Sequence, residues 1–321
     1  MGVGGVIEAQ ALTKRYGSKT AVDDLSFEVR PGFVTGFLGP NGSGKSTTMR
    51  LLLGLDRPTA GRSLINGKSY LDFAAPLHEV GALLEARAVH TGRSARNHLR
   101  AMAATNRIPR KRVDEMIGLV GLDDVAGKRV GGFSLGMGQR LGIASALLGD
   151  PGVLLLDEPV NGLDPEGILW IRNLLKALAA EGRTVFVSSH LMSEMAVTAS
   201  EVIVVGRGKL IASGSVAEVI RGAGTGVVMV RTTEADRLGS LLIGAAGTVQ
   251  RLSPDLLQVS GMDSAAIGLV AAREAIPLIE LTPQQATLEE AFMEITRDAV
   301  EFHGNELSAT ELSPSTFGGA R

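Results

Sequence analysis

The chain of 321 residues contains no cysteine. This absence excludes disulfide bonds, cysteine-ligated zinc sites and a thiol nucleophile, and it suits a reducing compartment. Aromatic residues make up only 4% of the chain, and 32 basic against 34 acidic residues give a net charge of −2. Without a basic excess or a basic block interleaved with aromatic residues, we expect no nucleic-acid partner.

Long apolar runs are also missing. No run approaches the ~18 residues of a membrane-spanning helix. Residues 1–8 lack the basic and apolar regions of a signal peptide. We therefore expect a cytoplasmic protein, either soluble or peripheral to a membrane. With 45% hydrophobic residues, the chain can bury a sizeable core, and its length suits one large domain with a small one, or two of medium size.

One stretch fits the phosphate-loop pattern G-x-x-x-x-G-K-[ST]: Gly39, Pro40, Asn41, Gly42, Ser43, Gly44, Lys45, Ser46 and Thr47. It lies between an apolar run at 33–38 and a helix-like run at 47–53, which is the context that the motif requires. Its backbone N–H groups would form an anion-binding concavity at a helix N-terminus. Lys45 would reach the β- and γ-phosphates, and the Ser46 hydroxyl would ligate Mg²⁺. The alternative is an ordinary glycine-rich turn, and the loop alone does not distinguish kinases, GTPases and motor ATPases.

A pair of carboxylates, Asp157 and Glu158, follows the apolar run at 153–156. Open α/β sheets bind ligands at the carboxyl ends of their strands. We expect Asp157 to hold Mg²⁺ and Glu158 to polarise the attacking water as general base. The alternative is a solvated acidic turn. His190 ends the next apolar strand, 32 residues after Glu158, and it is a candidate sensor of the γ-phosphate, although a lone histidine is usually structural.

A glycine-rich segment at 133–140, which we call the signature segment, begins another helix with Ser134 as a credible N-cap. A helix N-terminus is a second anion-binding site in the chain. The alternative is a helix start with no ligand. Asp164 is expected to cap a further helix over 165–180, with Pro165 at its first position.

The overall pattern predicts an α/β fold with two domains. Residues 6–34 alternate as antiparallel β-strands do, and strands then alternate with helices as in a parallel sheet. A linker is expected near 222–226. Beyond it, the order of elements resembles a split βαβ, ferredoxin-like unit: strand 227–232, helix 234–243, strands 247–252 and 255–260, helix 263–274, strand 277–281, and a last helix over 285–296. We expect the large domain at 1–221, a small α+β accessory or regulatory domain at 222–300, and a disordered tail at 301–321.

The chain resembles the ATP-binding cassette (ABC) ATPases, specifically the nucleotide-binding subunits of bacterial ABC transporters. The resemblance covers about residues 6–215. It rests on the order and spacing of the phosphate loop, the signature segment, the Asp157–Glu158 strand end, the Asn161-Gly162-Leu163-Asp164 loop and His190. It implies an antiparallel β subdomain, a parallel-sheet core and a helical subdomain at about 86–148. It also implies that Tyr16 stacks on adenine.

The resemblance further implies a composite site. Two cassettes pair head to tail, and Ser134, Leu135, Gly136 and Met137 of one copy close over the ATP held by the other. Ser134 and Gly136 would contact the γ-phosphate, and Asp164 would couple the two sites. ATP binding would close the dimer and hydrolysis would reopen it. The second ATPase would be another copy of the chain or a homologous subunit.

Two departures from the family pattern indicate a branch. Glu85 stands where the family usually has glutamine, near Mg²⁺ and the contact with the membrane subunit. A carboxylate can also ligate Mg²⁺. Leu135 and Met137 replace a glycine and a glutamine of the common signature. Both variants, and the helix at 287–293, resemble the branch that exports drugs and peptide antibiotics.

The resemblance therefore implies an ATPase that energises a separate membrane permease, held peripherally on the inner face of the membrane. The export of a drug, peptide antibiotic or lipid-like compound follows by analogy. The alternatives are a non-transport ABC ATPase of the cell-division type, which also pairs with a membrane protein, and a phosphate-loop kinase. The signature segment and His190 argue against the kinase. Repair and translation ATPases of the family carry a coiled-coil insertion or a second cassette, which this chain does not show.

Overall fold

The structure is a computed structural model that describes residues 5–85, 88–223, 226–245, 247–284 and 286–297. The predicted tail at 301–321 lies outside the described residues, as does the start of the predicted helical subdomain at Ala86 and Arg87. In the described part of the chain, no helix combines the length and the apolar character needed to span a bilayer.

Three antiparallel strands follow from the alternating pattern near the N-terminus: β1 (Ile7–Tyr16), β2 (Lys19–Val29) and β4 (Ala60–Ile65), in the order β2-β1-β4. Gly17, at φ 58°, makes the tight turn between β1 and β2. Alternate side chains such as Ile7, Val22 and Leu25 are buried against the central sheet. The antiparallel structure predicted for residues 6–34 is confirmed.

A six-stranded sheet forms the centre: β3 (Val34–Leu38), β5 (Val80–Leu83), β6 (Val153–Asp157), β7 (Thr184–Ser189), β8 (Glu201–Gly206) and β9 (Lys209–Ser215), in the order β5-β6-β7-β3-β8-β9. All neighbours pair in parallel except β9, which is antiparallel to β8. The strands β3 and β7 are buried over their whole length, as expected for parallel strands covered on both faces. Phe27 of β2 packs on Phe37 and Phe186, so the two sheets share one apolar core.

The register of the central sheet positions the site. Asp157 at the end of β6 lies beside Ser188 of β7, and Leu38 at the end of β3 lies beside Ser189. The three chain segments that follow these strands therefore leave the sheet side by side. They carry the phosphate loop, the carboxylate pair and His190.

The helices cover the sheet and form a helical region beside it: α1 (Lys45–Leu52), α2 (Pro76–Glu79), α3 (Ala95–Thr105), α4 (Arg110–Leu119), α5 (Leu135–Leu147), α6 (Pro165–Ala180), α7 (Met192–Thr198) and α8 (Val216–Gly222). Pro109 immediately precedes α4 and separates it from α3. Buried Leu99, Val113 and Leu141 join α3, α4 and α5 in the large core. The short α2, α7 and α8 and the edge strand β9 were not predicted.

After α8 the chain forms a separate four-stranded unit, in which two helices accompany the sheet. Its elements are β10 (Val227–Arg231), α9 (Ala235–Gly244), β11 (Thr248–Ser253), β12 (Leu256–Ser260), α10 (Ser264–Arg273) and β13 (Glu280–Gln284). All pairs are antiparallel, in the order β11-β12-β10-β13. This is the topology of the predicted split βαβ unit. The predicted last strand at 277–281 is present but begins later, as β13 at Glu280–Gln284. Pro277, which has no N–H for a strand ladder, lies before it, and its carbonyl oxygen accepts a bond from Thr232.

The final described helix returns to the larger part of the molecule. The helix α11 (Leu288–Thr296) begins with a capping box between Thr287 and Glu290. It packs against α7 and α8. Leu288 and Phe292 are buried there in the same core as the central sheet. The four-stranded unit is therefore bounded on both sides by helices that belong to the larger core.

Candidate active site

The phosphate loop joins β3 to α1 in the predicted arrangement. Gly42 and Gly44 adopt φ values of 82° and 99°, in the region that favours glycine. A Cβ atom at Gly44 would lie 2.4 Å from the carbonyl oxygen of Ala21. Any side chain there would therefore displace the loop from β2.

Lys45 lies inside this loop with only 8% of its surface exposed. Its Nζ donates to the carbonyl oxygens of Gly39 at 2.7 Å and Pro40 at 3.2 Å. Burial lowers the pKa of Lys45, while the nearby charges of Glu158 and Asp157 act in the opposite direction. The buried Oγ of Ser43 has no hydrogen-bond partner. The loop thus holds a cation at the place where phosphates are expected.

The carboxylate pair is fixed by its neighbours on β7 and α5. The Ser188 hydroxyl donates to Oδ1 of Asp157 and accepts from the backbone N–H of Glu158 at 3.0 Å. The carbonyl oxygen of Glu158 accepts from Nε2 of Gln139 at 3.0 Å. Glu158 has a positive φ of 49°. These contacts fix the carboxylate of Asp157 and the backbone of Glu158, where the chain turns sharply.

His190 lies beside Glu158, the residue that the sequence predicts to be the general base. Its Nδ1 donates to Oε2 of Glu158 at 2.7 Å. About half of the His190 side chain is exposed, whereas Glu158 is largely covered. The parallel pairing of β6 and β7 brings these two residues together. A base oriented by a second polar group is the arrangement that water activation requires.

A cavity of about 720 Å³ lies between the phosphate loop and the carboxylate pair. Its volume is within the range of small-molecule sites. The predicted site residues that line it are Tyr16, Asn41, Gly42, Ser43, Gly44, Lys45, Ser46, Thr47, Glu85, Leu135, Asp157 and Glu158. Gly39 and Pro40 lie behind the loop as acceptors of Lys45. Ser134, Gly136, Met137, Asp164 and His190 lie outside the lining.

The signature segment contacts the loop at 161–164 within the same chain. The Oγ of Ser134 caps α5 by accepting from the N–H of Met137 at 3.2 Å, which confirms the predicted N-cap. A Cβ at Gly136 would lie 2.7 Å from the carbonyl oxygen of Gly162. Leu135 is 44% exposed and borders the cavity of its own chain, although the sequence assigned it only to the site of a second copy.

Asp164 has the local role that the sequence predicts. Its Oδ1 accepts from the N–H of Gly167 at 2.8 Å and so caps α6. The α5 and α6 helices are also joined by Arg140, which stacks over the ring of Trp170 at 4.8 Å. The signature segment and the helix that follows the carboxylate loop are thus linked within one chain.

The sequence missed several residues of the site. Gln139 and Asn161 line the cavity, and Ser188 holds the carboxylate of Asp157 and the backbone N–H of Glu158. The sequence does show Ser188 as a polar residue in an apolar strand, and the structure shows that it is fully buried. Such a residue needs a hydrogen-bond partner.

Comparison with known proteins agrees with this geometry. Residues 22–161 match the family model described as ABC transporter, and residues 226–289 match a domain of unknown function. Over 209 residues the chain is 44% identical to the uncharacterized ABC transporter ATP-binding protein YhcH of Bacillus subtilis, covering 64% of this chain and 68% of YhcH. The bacitracin transport ATP-binding protein BcrA of Bacillus licheniformis matches with the same identity and the same shares.

Among solved structures, the dimeric bacterial ABC transporter cassette MJ0796 superposes with a TM-score of 0.60 and 25% identity, over 65% of this chain and 98% of that one. The α/β fold with a parallel core and antiparallel sheets is therefore the fold of ABC cassettes. Together with the family match and the 44% identity, it shows that the chain belongs to the ABC transporter family, as an ATP-binding subunit that hydrolyses ATP.

Proposed function

We propose that this subunit hydrolyses ATP to power a separate membrane permease that exports a peptide antibiotic, a drug or a lipid-like compound. The proposed hydrolysis is supported above all by the Glu158–His190 contact, at the edge of a cavity that Lys45 also lines. The similarity to BcrA, a bacitracin transport protein, supports the class of cargo. The relatives reported above are named for transport, and this favours transport over the cell-division alternative.

The residues present suit Mg²⁺-bound ATP. The Lys45 cation, held by the carbonyl oxygens of Gly39 and Pro40, borders the cavity where the phosphates are expected, and the buried Oγ of Ser43 in the same loop has no hydrogen-bond partner. Among the described residues, no three acidic or histidine side chains form a metal cluster by themselves. We propose that Ser46, Asp157 and Glu85 hold the ion together with phosphate oxygens, since Mg²⁺ commonly retains few protein ligands. The bound ion would neutralise charge on the phosphates.

We assign the chemical step to Glu158 and His190. Glu158 accepts the proton of the attacking water, and His190 holds its carboxylate in place through Nδ1. Lys45 stabilises the charge on the β- and γ-phosphate oxygens. For this it exchanges the carbonyl oxygens of Gly39 and Pro40 for phosphate oxygens.

We further propose that two copies, or one copy and a homologous subunit, form the complete site. The dimeric state of the similar cassette MJ0796 supports this. Ser134 to Met137 of the second copy then close over the γ-phosphate, and Asp164 transmits the state of one site to the other. The contact between Gly136 and Gly162 supplies a path within each chain.

The permease places the subunit peripherally on the cytoplasmic face of the membrane in this proposal. The domain boundaries at 1–221 and 222–300 are part of it, with the second domain in an accessory or regulatory role. The packing of α11 on α7, the helix that follows His190, supports that role. The experiment is coexpression with the membrane protein of the neighbouring reading frame. We expect copurification and a permease-dependent ATPase rate, and an ATPase that never associates with a membrane protein would overturn the transport part.

A further inference from the structure

The tyrosine at the mouth of the cavity is unusually well supported for an exposed side chain. Tyr16 ends β1, is 48% exposed and lines the cavity together with the phosphate loop. An exposed aromatic side chain normally samples several rotamers, and ordering it on binding costs affinity. Here Asp56 and Lys14 contact it before any ligand arrives, and Arg50 holds Asp56 in place. We call Lys14, Arg50 and Asp56 the Tyr16 support.

The phenol of Tyr16 is anchored at its tip. Its hydroxyl donates to Oδ2 of Asp56 at 3.0 Å. Asp56 in turn accepts two hydrogen bonds from Arg50. Nε donates to Oδ2 at 2.7 Å and Nη2 donates to Oδ1 at 3.3 Å. The contact with Arg50 lowers the pKa of Asp56, and burial together with the bond to Asp56 raises the pKa of Tyr16. A phenol therefore donates to an ionised carboxylate, which is a strong type of hydrogen bond.

Arg50 connects this anchor to the phosphate loop. It lies in α1, the helix that begins at Lys45. The distance between the tyrosine ring and the phosphate loop is therefore set by one rigid helix and two short contacts. A ligand with a ring at one end and phosphates at the other requires such a fixed separation.

Lys14 occupies one face of the ring. Its Nζ lies 4.9 Å from the ring centroid of Tyr16 and donates to the carbonyl oxygen of Arg57 at 2.7 Å. Lys14 is not among the residues that line the cavity. With the cation over one face of the ring, the other face is the one open to a flat ligand.

We propose that Asp56 is a positioning residue for the nucleotide base, acting through Tyr16, and that Arg50 and Lys14 fix the ring at its tip and on its closed face. The proposal rests on the proposed function, because it assumes that ATP is the ligand of the cavity. Asp56 does not line the cavity, so its effect on ATP must pass through the tyrosine. The support acts on binding of the base and leaves the hydrolytic step unchanged.

The test is a double-mutant cycle on the full chain with its permease, using Tyr16→Phe, Asp56→Ala and the double variant. We expect each single variant to raise KM for ATP about threefold to tenfold, the cost of ordering one side chain on binding. The KM of the double variant should not exceed the higher of the two single-variant values, because both changes remove the same contact. The value of kcat should not change.

Two controls separate positioning from general damage. Asp255→Ala removes a carboxylate that is likewise paired with an arginine, Arg231, but lies in the four-stranded unit, and it should leave KM unchanged. Inorganic tripolyphosphate carries phosphates but no base, so its inhibition constant should be the same for wild type and all variants. Asp56→Leu, which also lacks a hydrogen-bond acceptor, replaces Asp56→Ala if the latter does not fold.

The outcomes distinguish the two proposals. If the wild type hydrolyses ATP but Asp56→Ala leaves KM unchanged, or the two effects multiply in the double variant, the positioning role is wrong. It is equally wrong if tripolyphosphate inhibition weakens in parallel with ATP binding. A wild-type protein that neither binds nor hydrolyses ATP would instead overturn the function on which the proposal rests.

Discussion

The most informative single change is Glu158→Gln. It keeps the size of the side chain and removes its ability to take a proton. The contacts that fix this residue survive, because Ser188 and Gln139 bind its backbone rather than its carboxylate. The amide oxygen can still accept from Nδ1 of His190 at the position that Oε2 now occupies. The variant therefore tests the chemistry of the side chain with little change in structure.

The expected loss follows from the role of a general base. Positioned proton transfer contributes about 10²- to 10⁴-fold to a rate, which corresponds to roughly 3–5 kcal/mol of activation free energy. We expect kcat to fall by this factor, while ATP binding persists. Because hydrolysis reopens the dimer in the proposed cycle, the variant should also accumulate as an ATP-bound dimer.

The assay is phosphate release at saturating ATP, combined with size-exclusion chromatography in ATP. Glu181→Gln is the matched control, since it makes the same change at an exposed carboxylate that pairs with Arg183 away from the cavity. The control should hydrolyse ATP at the wild-type rate. Near-normal turnover by Glu158→Gln would refute the assignment of the base, and loss of ATP binding would show that the carboxylate has a structural role.

Three further changes test other parts of the site and fold. Glu85→Gln should retain at least part of the ATPase activity, because glutamine is the usual residue of the family at this position; complete loss would give the carboxylate a specific role. Burial lowers the pKa of Lys45, so its charge is lost at a lower pH than for a free lysine. The Kd for ATP should therefore rise with pH, and a Kd that stays constant up to about pH 10 would contradict this. Phe292→Ala removes a buried side chain of α11 and should lower the free energy of unfolding by about 3 kcal/mol in a denaturant titration. Met293→Ala, at a position 66% exposed on the same helix, should change it by less than about 0.5 kcal/mol.

Local features of the site could be predicted from the sequence because their residue types have few other uses. Glycines at positive φ, a lysine at a helix start and carboxylates after an apolar run are sequence-local, and the structure has them in the predicted elements. The capping roles of Ser134 and Asp164 depend on three-residue spacings and were equally accessible. The split βαβ order of the four-stranded unit could also be predicted, because it follows from the alternation of strand and helix patterns along the chain.

Contacts between distant segments could not be predicted by the same means. The bond between Glu158 and His190 depends on the register of β6 and β7, which periodicity does not specify. The link from Tyr16 to Asp56 joins residues 40 positions apart. Short elements such as α7 and α8 span too few turns to show a period, and the return of α11 to the larger core depends on tertiary packing.

If two chains share each ATP site, as proposed, two variants that are each inactive should restore activity when they are mixed. Lys45→Ala disables the phosphate loop, and Ser134→Asp keeps a good helix cap but sets a negative charge against the γ-phosphate of the partner copy. Each variant alone should be inactive. Mixed in equal amounts, they should recover roughly a quarter of the wild-type rate, because half of randomly formed dimers carry one intact site. A mixture as inactive as its components, or full activity of Ser134→Asp alone, would contradict the shared site.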